Sequence, residues 1–485
     1  MPLYRPSLIG TTSLTYTIVG TGAGAGALTP ATATFYGVGA GAAATSAAML
    51  TALGHNACLG VTTGPNNTGV GQDTLKTTTT GGLNTAVGAL AGARAAGTSN
   101  HNTSVGYASG YGNGMGSGNT NVGSSAGQSL GAAAVNNTNV GYLAGQNITS
   151  GTGNMTFGYL AGNAITTGTG NTCIGTNAGI TLGATNYAIY IGNAAGQGAT
   201  ASGIGIGQAS LLANAGLNNI GIGRQTGNKI SSGHDNIAIG DAALANSLVG
   251  SNCIAIGSNV LGVYADAARI DGLPQYLCNS IGIGSQVLGQ CSTGFENVGI
   301  GTSVFTSLTS GYENTAVGIE AMSGVTVGHR SVAMGVAAMK RGTTAYQCVA
   351  IGYGAGDGDG TKSNISGHDN TYLGYGCTNA SATQRNFQTI IGANVFGVDA
   401  DNAITLGRIG TDVVYAGVTI PGLKDNTGAI YTVAQLASAY PASTALKGAR
   451  SQVSDATAPT WLGALTGGGS VVCPVFCNGT AWVAG

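Results

Sequence analysis

Charge is scarce in this chain. Asp, Glu, Lys and Arg make up 6% of its 485 residues, against about 25% in an ordinary soluble domain. The formal net charge is -1, so the chain offers nucleic acid or an anionic membrane surface no basic face. From Pro6 to Gln72 there is no Asp, Glu, Lys or Arg at all. Long apolar runs are missing too. No stretch approaches the about twenty strongly apolar residues of a membrane span. The opening "MPLYRPSLIGTTSLTYTIVG" lacks the basic region and uninterrupted apolar segment of an export signal. The cysteines (Cys58, Cys173, Cys253, Cys278, Cys291, Cys348, Cys377, Cys473 and Cys477) are scattered and form no CxxC pair, which argues against zinc. Most read as small buried residues, because several fill a slot that holds Ala or Ser in sister repeats. A disulfide between Cys473 and Cys477 stays open, since a short loop could join them. Low charge alongside periodic Val, Ile and Leu is not the pattern of disorder.

What the chain does contain is glycine, 88 residues of it, and a recurring phrase. "NTAVGALAG" begins at Asn84, "NTSVGYASG" at Asn102, "NTNVGSSAG" at Asn119, "NTNVGYLAG" at Asn137 and "NTCIGTNAG" at Asn171. The Gly that follows the Val or Ile marks each copy. It falls at Gly71, Gly88, Gly106, Gly123, Gly141, Gly158, Gly175 and Gly192, and continues from Gly207 through Gly240, Gly257, Gly284 and Gly352 to Gly407. The step is about 17 residues, as from Gly284 to Gly301 to Gly318, and a fixed period in this range means a solenoid or array.

Within a copy, "DNIAIGDAAL" (235–244) and "RSVAMGVAAM" (330–339) alternate larger aliphatic with small residues, the period of a short half-buried strand. The expectation is two short strands and two turns per coil, with Asn and Gly in left-handed corner positions and the few inward Val, Ile or Leu as core. So thin a core does not offset the ordering of a whole coil. Ladders between coils, stacked Asn side chains and burial against neighbouring chains must supply the remainder, and three parallel copies around one axis are expected.

"SVAMG" (331–335), "NIAIG" (236–240), "CIAIG" (253–257) and "CVAIG" (348–352) resemble the head repeats of trimeric autotransporter adhesins, whose coils form a trimeric parallel β-roll. The "NTAVGxxAG" form resembles repeat blocks of bacteriophage fibre proteins. The likeness covers roughly Cys58 to Gly410. An autotransporter would add an export signal, a coiled-coil stalk and a membrane barrel, none of them legible here, so the phage fibre is the expectation. "GARSQVSDATAPTWLGALTGGGSVVCPVFCNGTAWVAG" (448–485) resembles a short module at the C-termini of phage fibre-like and virion-associated proteins.

The fold expected is therefore all-β: a trimeric parallel β-roll or β-solenoid of about 17-residue coils with a small C-terminal β domain. Residues 1–57 carry no clean copy of the repeat and, by analogy with phage fibres, form the segment that docks to other virion proteins. Residues 58–410 are the shaft and 411–485 the C-terminal cap or tip. The function implied is that of a structural homotrimer on the virion, in the tail or on the head, mediating adhesion to a glycan or protein of the bacterial surface. Nucleic-acid binding and membrane insertion are not expected.

Two insertions break the period, "GVYADAARIDGLPQYL" (262–277) and "GAGDGDGTKSNISGHDN" (354–370), and insertions in solenoids map to loops that often bind. The receptor-binding candidates are Tyr264, Asp266, Arg269, Asp271 and Tyr276 in the first insertion, and Trp461, Phe476 and Trp482 at the tip. The tip aromatics read foremost as the core of a small β domain. Asp266 and Asp271 are the best carboxylate pair for a depolymerase tailspike, although Arg269 beside them makes a salt-bridged loop the simpler account. Asp357 and Asp359 could hold calcium but read foremost as a solvated turn, so no cofactor is expected. Neither a catalytic triad nor a nucleotide fingerprint is legible, and no enzymatic activity is expected. Tyrosines just after the marker Gly (Tyr107, Tyr142, Tyr159, Tyr353 and Tyr375) would stack on successive coils, as a ladder between protomers or against sugar rings. A monomeric ice-binding solenoid with Thr rows is the alternative from another class.

Overall fold

In the computed structural model the chain returns over itself about every 17 residues. The description covers residues 16–407 apart from 27–31, 96, 113, 248, 263–278, 292–293, 358–365, 380–384 and 399, together with the backbone of 450–456, 471–477 and 482–484. Each coil contributes one strand of three to five residues to a 23-stranded parallel sheet. Register is residue for residue: Thr120 pairs with Thr138, Asn121 with Asn139 and Val122 with Val140. Among the described residues no helix forms, so none is long and apolar enough to cross a membrane.

The marker glycine turns the corner after each strand. At Gly141 φ is +133°, and a Cβ there would lie 2.5 Å from the carbonyl oxygen of Gly158 in the next coil. Both the backbone conformation and the close approach of the neighbour exclude a side chain. The stack begins before the residues that the repeat motif picks out. Tyr16–Val19, Ala33–Tyr36 and Leu50–Leu53 pair in the same sheet, and Gly20, Gly37 and Gly54 turn its corners.

Two expectations about the coil are corrected. Among the described residues a second strand per coil occurs only at Ser310–Tyr312, Val327–His329, Thr344–Tyr346 and Ser366–His368, which form a four-stranded sheet of their own. Elsewhere the stretch after the corner alternates handedness, as at Leu143 (φ 57°) and Gly145 (φ 55°). Its amides bond alternately down and up the stack: Leu143 N–H donates to Ser124 O (3.1 Å) and Gly145 N–H to Ala161 O (2.9 Å). The sidedness of the main strands also differs. Their small middle residues, such as Ala86, Ala238 and Ala255, are buried, while the flanking aliphatics face out. A roll this thin has no room for three inward aliphatics per turn.

The interior is filled largely by one bulky side chain at a time, drawn from one of three slots. Leu130, Ile148, Ile165 and Leu182 stand seven residues after the marker Gly; Leu211, Leu244, Phe305 and Met322 stand four after it; Phe35, Tyr190 and Tyr372 occupy mid-strand. Where a ring takes the strand slot, glycine yields space. A Cβ on Gly41 would meet the Phe35 ring at 2.3 Å and one on Gly196 the Tyr190 ring at 2.5 Å.

The expected Asn column is present at the corner before most of the main-sheet strands from Thr68–Val70 onward. Asn137 donates from its backbone N–H (2.9 Å) and Nδ2 (3.1 Å) to Oδ1 of Asn119, and from Nδ2 to Gly151 O (2.9 Å). Its own Oδ1 accepts both corresponding donors of Asn154, each at 3.0 Å. The same linkage joins Asn67, Asn84 and Asn102 below, Asn171 above, and later Asn219 to Asn236 and Asn297 to Asn314. All are buried, so the column satisfies polar groups that burial would otherwise leave unpaired.

A second unit, 414–485, contains three antiparallel strands, Arg450–Ala456, Val471–Cys477 and Trp482–Ala484. Cys473 and Cys477 lie on one continuous strand, about 13 Å apart at some 3.3 Å per residue. A disulfide between them is excluded at that span.

Candidate functional site

The outward residues of the main sheet form two ranks. The rank immediately before the marker glycine runs Val70, Val87, Val105, Val122, Val140, Phe157, Ile174, Ile191 and Ile206, and on through Ile239, Ile256, Ile283 and Ile300 to Leu406. It is apolar or aromatic in every strand, and no member is buried. The rank two residues earlier is Thr at eight consecutive coils, from Thr17 and Thr34 to Thr120 and Thr138. It turns to Ile from Ile189 to Ile281. A contiguous apolar stripe of this length on an outward face is a candidate interaction surface.

Beyond the corner glycine stand the tyrosines expected to stack. Two pairs do so: Tyr142 on Tyr159, with ring centroids 5.7 Å apart, and Tyr353 on Tyr375 at 5.3 Å. Tyr107 is separated from the first pair by Ser124, which holds the same position in the intervening coil. A longer column escaped the sequence reading. Phe295, Tyr312 and His329 stack in succession at the corner before the Asn column, and Tyr346 follows tilted by 45°, with centroid spacings of 5.1, 4.0 and 5.1 Å. Their spacing of 17 residues was the available signal. Burial, with Arg330 next, holds the His329 imidazole below its usual range.

Tyr353 and Tyr375 also line a groove of about 340 Å³ with Glu320, Lys340, Arg341, Asp357, Asn394 and Phe396. Lys340 Nζ pairs with Glu320 at 2.5 Å, and the Arg341 guanidinium stands 3.8 Å from Asp357, whose Oδ1 also accepts the Arg341 backbone N–H at 2.9 Å. Burial pushes the Asp357 carboxyl up. This arrangement gives Asp357 an internal cation as partner. Among the described residues no group of three or more His, Cys, Asp or Glu is placed to hold a metal ion.

Of the receptor-binding candidates, Tyr264, Asp266, Arg269, Asp271 and Tyr276 lie outside the described residues, as do Trp461 and Asp359. Phe476 and Trp482 are described by backbone alone, Phe476 opposite Val483 and Trp482 opposite Cys477. Cys58, Cys173, Cys291, Cys348 and Cys377 form no disulfide and are buried, with the thiols of Cys58 and Cys173 pushed up to about 12 by desolvation. Such thiols are inert. Cys253 differs from these five in being disulfide-bonded, which its slot in the repeat did not foretell. No protein-family model matches the chain, and comparisons with curated proteins and with solved structures find no match.

Proposed function

We propose that the chain is a bacteriophage fibre: a homotrimer whose shaft is the solenoid, carried on the virion and serving adhesion to the bacterial surface without catalysis. The observation that carries this reading is the unbroken apolar rank along the outer face of the 23-stranded sheet. Exposed to water, that stripe is an aggregation hazard. Packed against two copies of itself around an axis, it becomes the core that the thin roll lacks. With about 4.8 Å per coil the shaft is on the order of 100 Å long, enough to hold a binding surface away from a particle. The resemblance of "NIAIG" and "NTAVGxxAG" to adhesin-head and phage-fibre repeats supports the same reading, with a docking segment near the N-terminus and a binding tip near the C-terminus.

Light scattering on the purified protein tests it, with an unheated SDS gel alongside. A heat-sensitive species near three times 47.1 kDa is expected. A monodisperse monomer would refute the trimer.

One observation favours a second reading. Eight consecutive outward Thr, from Thr17 to Thr138, resemble the rows of an ice-binding solenoid. The neighbouring rank is Val, Tyr or Leu instead of Thr. Thermal hysteresis in a monomeric preparation would favour this alternative over the fibre.

A further inference from the structure

Resting on the adhesive-fibre reading, we propose that the side groove at Tyr353 and Tyr375 binds a neutral oligosaccharide laid along the fibre axis. The groove crosses five successive coils, from Glu320 to Phe396, about 20 Å of shaft at the inter-coil spacing. Its volume of about 340 Å³ falls in the range of small-ligand sites.

The lining has the two chemistries a sugar needs. A pyranose presents a C–H face, which packs on aromatic rings, and an edge of hydroxyls, which pair with charged donors and acceptors. Tyr353 and Tyr375 are 56% and 54% exposed and stack with only 15° between their planes. The next coil puts Ala393 in the tyrosine position, so the aromatic column stops at Tyr375 while the groove continues to Asn394 and Phe396. A sugar ring seated there extends the stack by one member. The carboxylates of Glu320 and Asp357 supply acceptors, and Lys340 and Arg341 supply donors.

Two features separate this groove from ordinary surface. Four charged side chains meet in it although the chain is only 6% charged, and Asp357 keeps its carboxyl nearly buried, with a side-chain exposure of 9%. A carboxyl held against desolvation is a mark of functional sites. The charges also select the class of ligand. Two carboxylates face two cations, which leaves no surplus positive charge for an acidic sugar or a phosphate. The groove lies beyond the corner glycine Gly352, which separates it from the outward stripe that a trimer would bury.

The test uses the full-length protein and oligosaccharides of about five residues from the gluco, galacto, manno and N-acetylglucosamine series, followed by saturation-transfer NMR and calorimetry. At least one series should bind, with Tyr375→Ala weakening affinity by about tenfold or more and Tyr375→Phe by no more than about twofold. Asp357→Asn should weaken it in the same direction, and Tyr107→Ala, on a separate column, should not. Failure of all four series to bind would overturn the proposal, and so would undiminished binding by Tyr375→Ala. Native mass measured on the same samples separates the two readings: a trimer that binds no sugar loses the groove and keeps the fibre. A monomer that binds sugar through Tyr375 keeps the groove and loses the trimer.

Discussion

Asn137 shows what a single position contributes. Its side chain and backbone join three consecutive coils through buried hydrogen bonds, so Asn137→Ala strands Gly151 O and the Asn154 backbone N–H without partners. A loss of about 3 kcal/mol is expected, read as faster hydrogen exchange in residues 119–154. Asn147→Ala removes only an exposed bond to Asn163 and should cost under about 0.5 kcal/mol; equal losses would refute the role given to the column. Gly196 makes the companion case in the core. Gly196→Ala drives a Cβ into the Tyr190 ring at 2.5 Å and should cost more than about 2 kcal/mol. In a Tyr190→Ala background the added penalty should fall to the backbone strain alone, about 1 kcal/mol. Gly183→Ala, with nothing nearer than 3.9 Å, should cost that smaller amount outright. The Asn column was legible because Asn recurs ahead of many of the Val-Gly and Ile-Gly pairs. The exchange of bulk among three core slots was not, since a Leu four residues after the glycine and an Ile seven after it read as unrelated substitutions until the coil is closed.

At the scale of the element, each strand is too short to stand alone and takes its meaning from the one above. Alternation told that these were strands but not which side faced in. Only the narrowness of the coil decides that the small residue of "IAI" or "TNV" is the buried one. The consequence is tested by Ile256→Asp combined with Ile283→Asp on the outward rank. The single chain loses no core contact, so its circular dichroism should be unchanged, while the native mass should drop from trimer to monomer. A retained trimer would place the interface elsewhere. The aromatic column before the Asn column makes a pH prediction. His329 lies between Tyr312 and Tyr346, beside Arg330 and Glu313, and its folded-state pKa lies below the ordinary 6.5. The unfolded chain therefore holds the proton more tightly. Stability is complete above about pH 6.5 and declines as pH falls through the lowered value. Protection factors across residues 310–346, which remove the intrinsic pH dependence of exchange, should fall on acidification in the parent and much less in His329→Phe. Insertions were visible in the spacing, whereas the groove was not, because its charged residues come from coils that a linear reading keeps apart.

For the whole molecule, stability is a sum over coils and their interfaces, and length is adjustable in units of one coil. Deleting residues 142–158 joins Gly141 to Tyr159, one marker position to the next, and should leave melting temperature nearly unchanged. Deleting 142–149 removes half a turn, throws every later Asn out of its column and should abolish the cooperative melt. Equal tolerance of both deletions would show that the register described here does not govern folding. The period was plain in the sequence from Gly71 onward. The three earlier coils were missed because "YTIVG", "TFYG" and "LTALG" lack the leading Asn, although Thr and Gly keep their places and the glycine alone sufficed to place Gly20, Gly37 and Gly54 at the same step of 17.

The amide column gives way to Ala188 and Gly203, to Cys253 and Ser280, and again to Ser331 and Cys348, and at Ala188 and Gly203 the column position carries no polar side chain. Under tension along its axis the stack behaves as links in series, so its strength is that of its weakest junction and not of the average one. Pulled from its ends, the solenoid should part first at Ala188 and Gly203, where the column's own side chains are missing, and a rupture-force trace should show the same first event however many Asn-linked coils flank it.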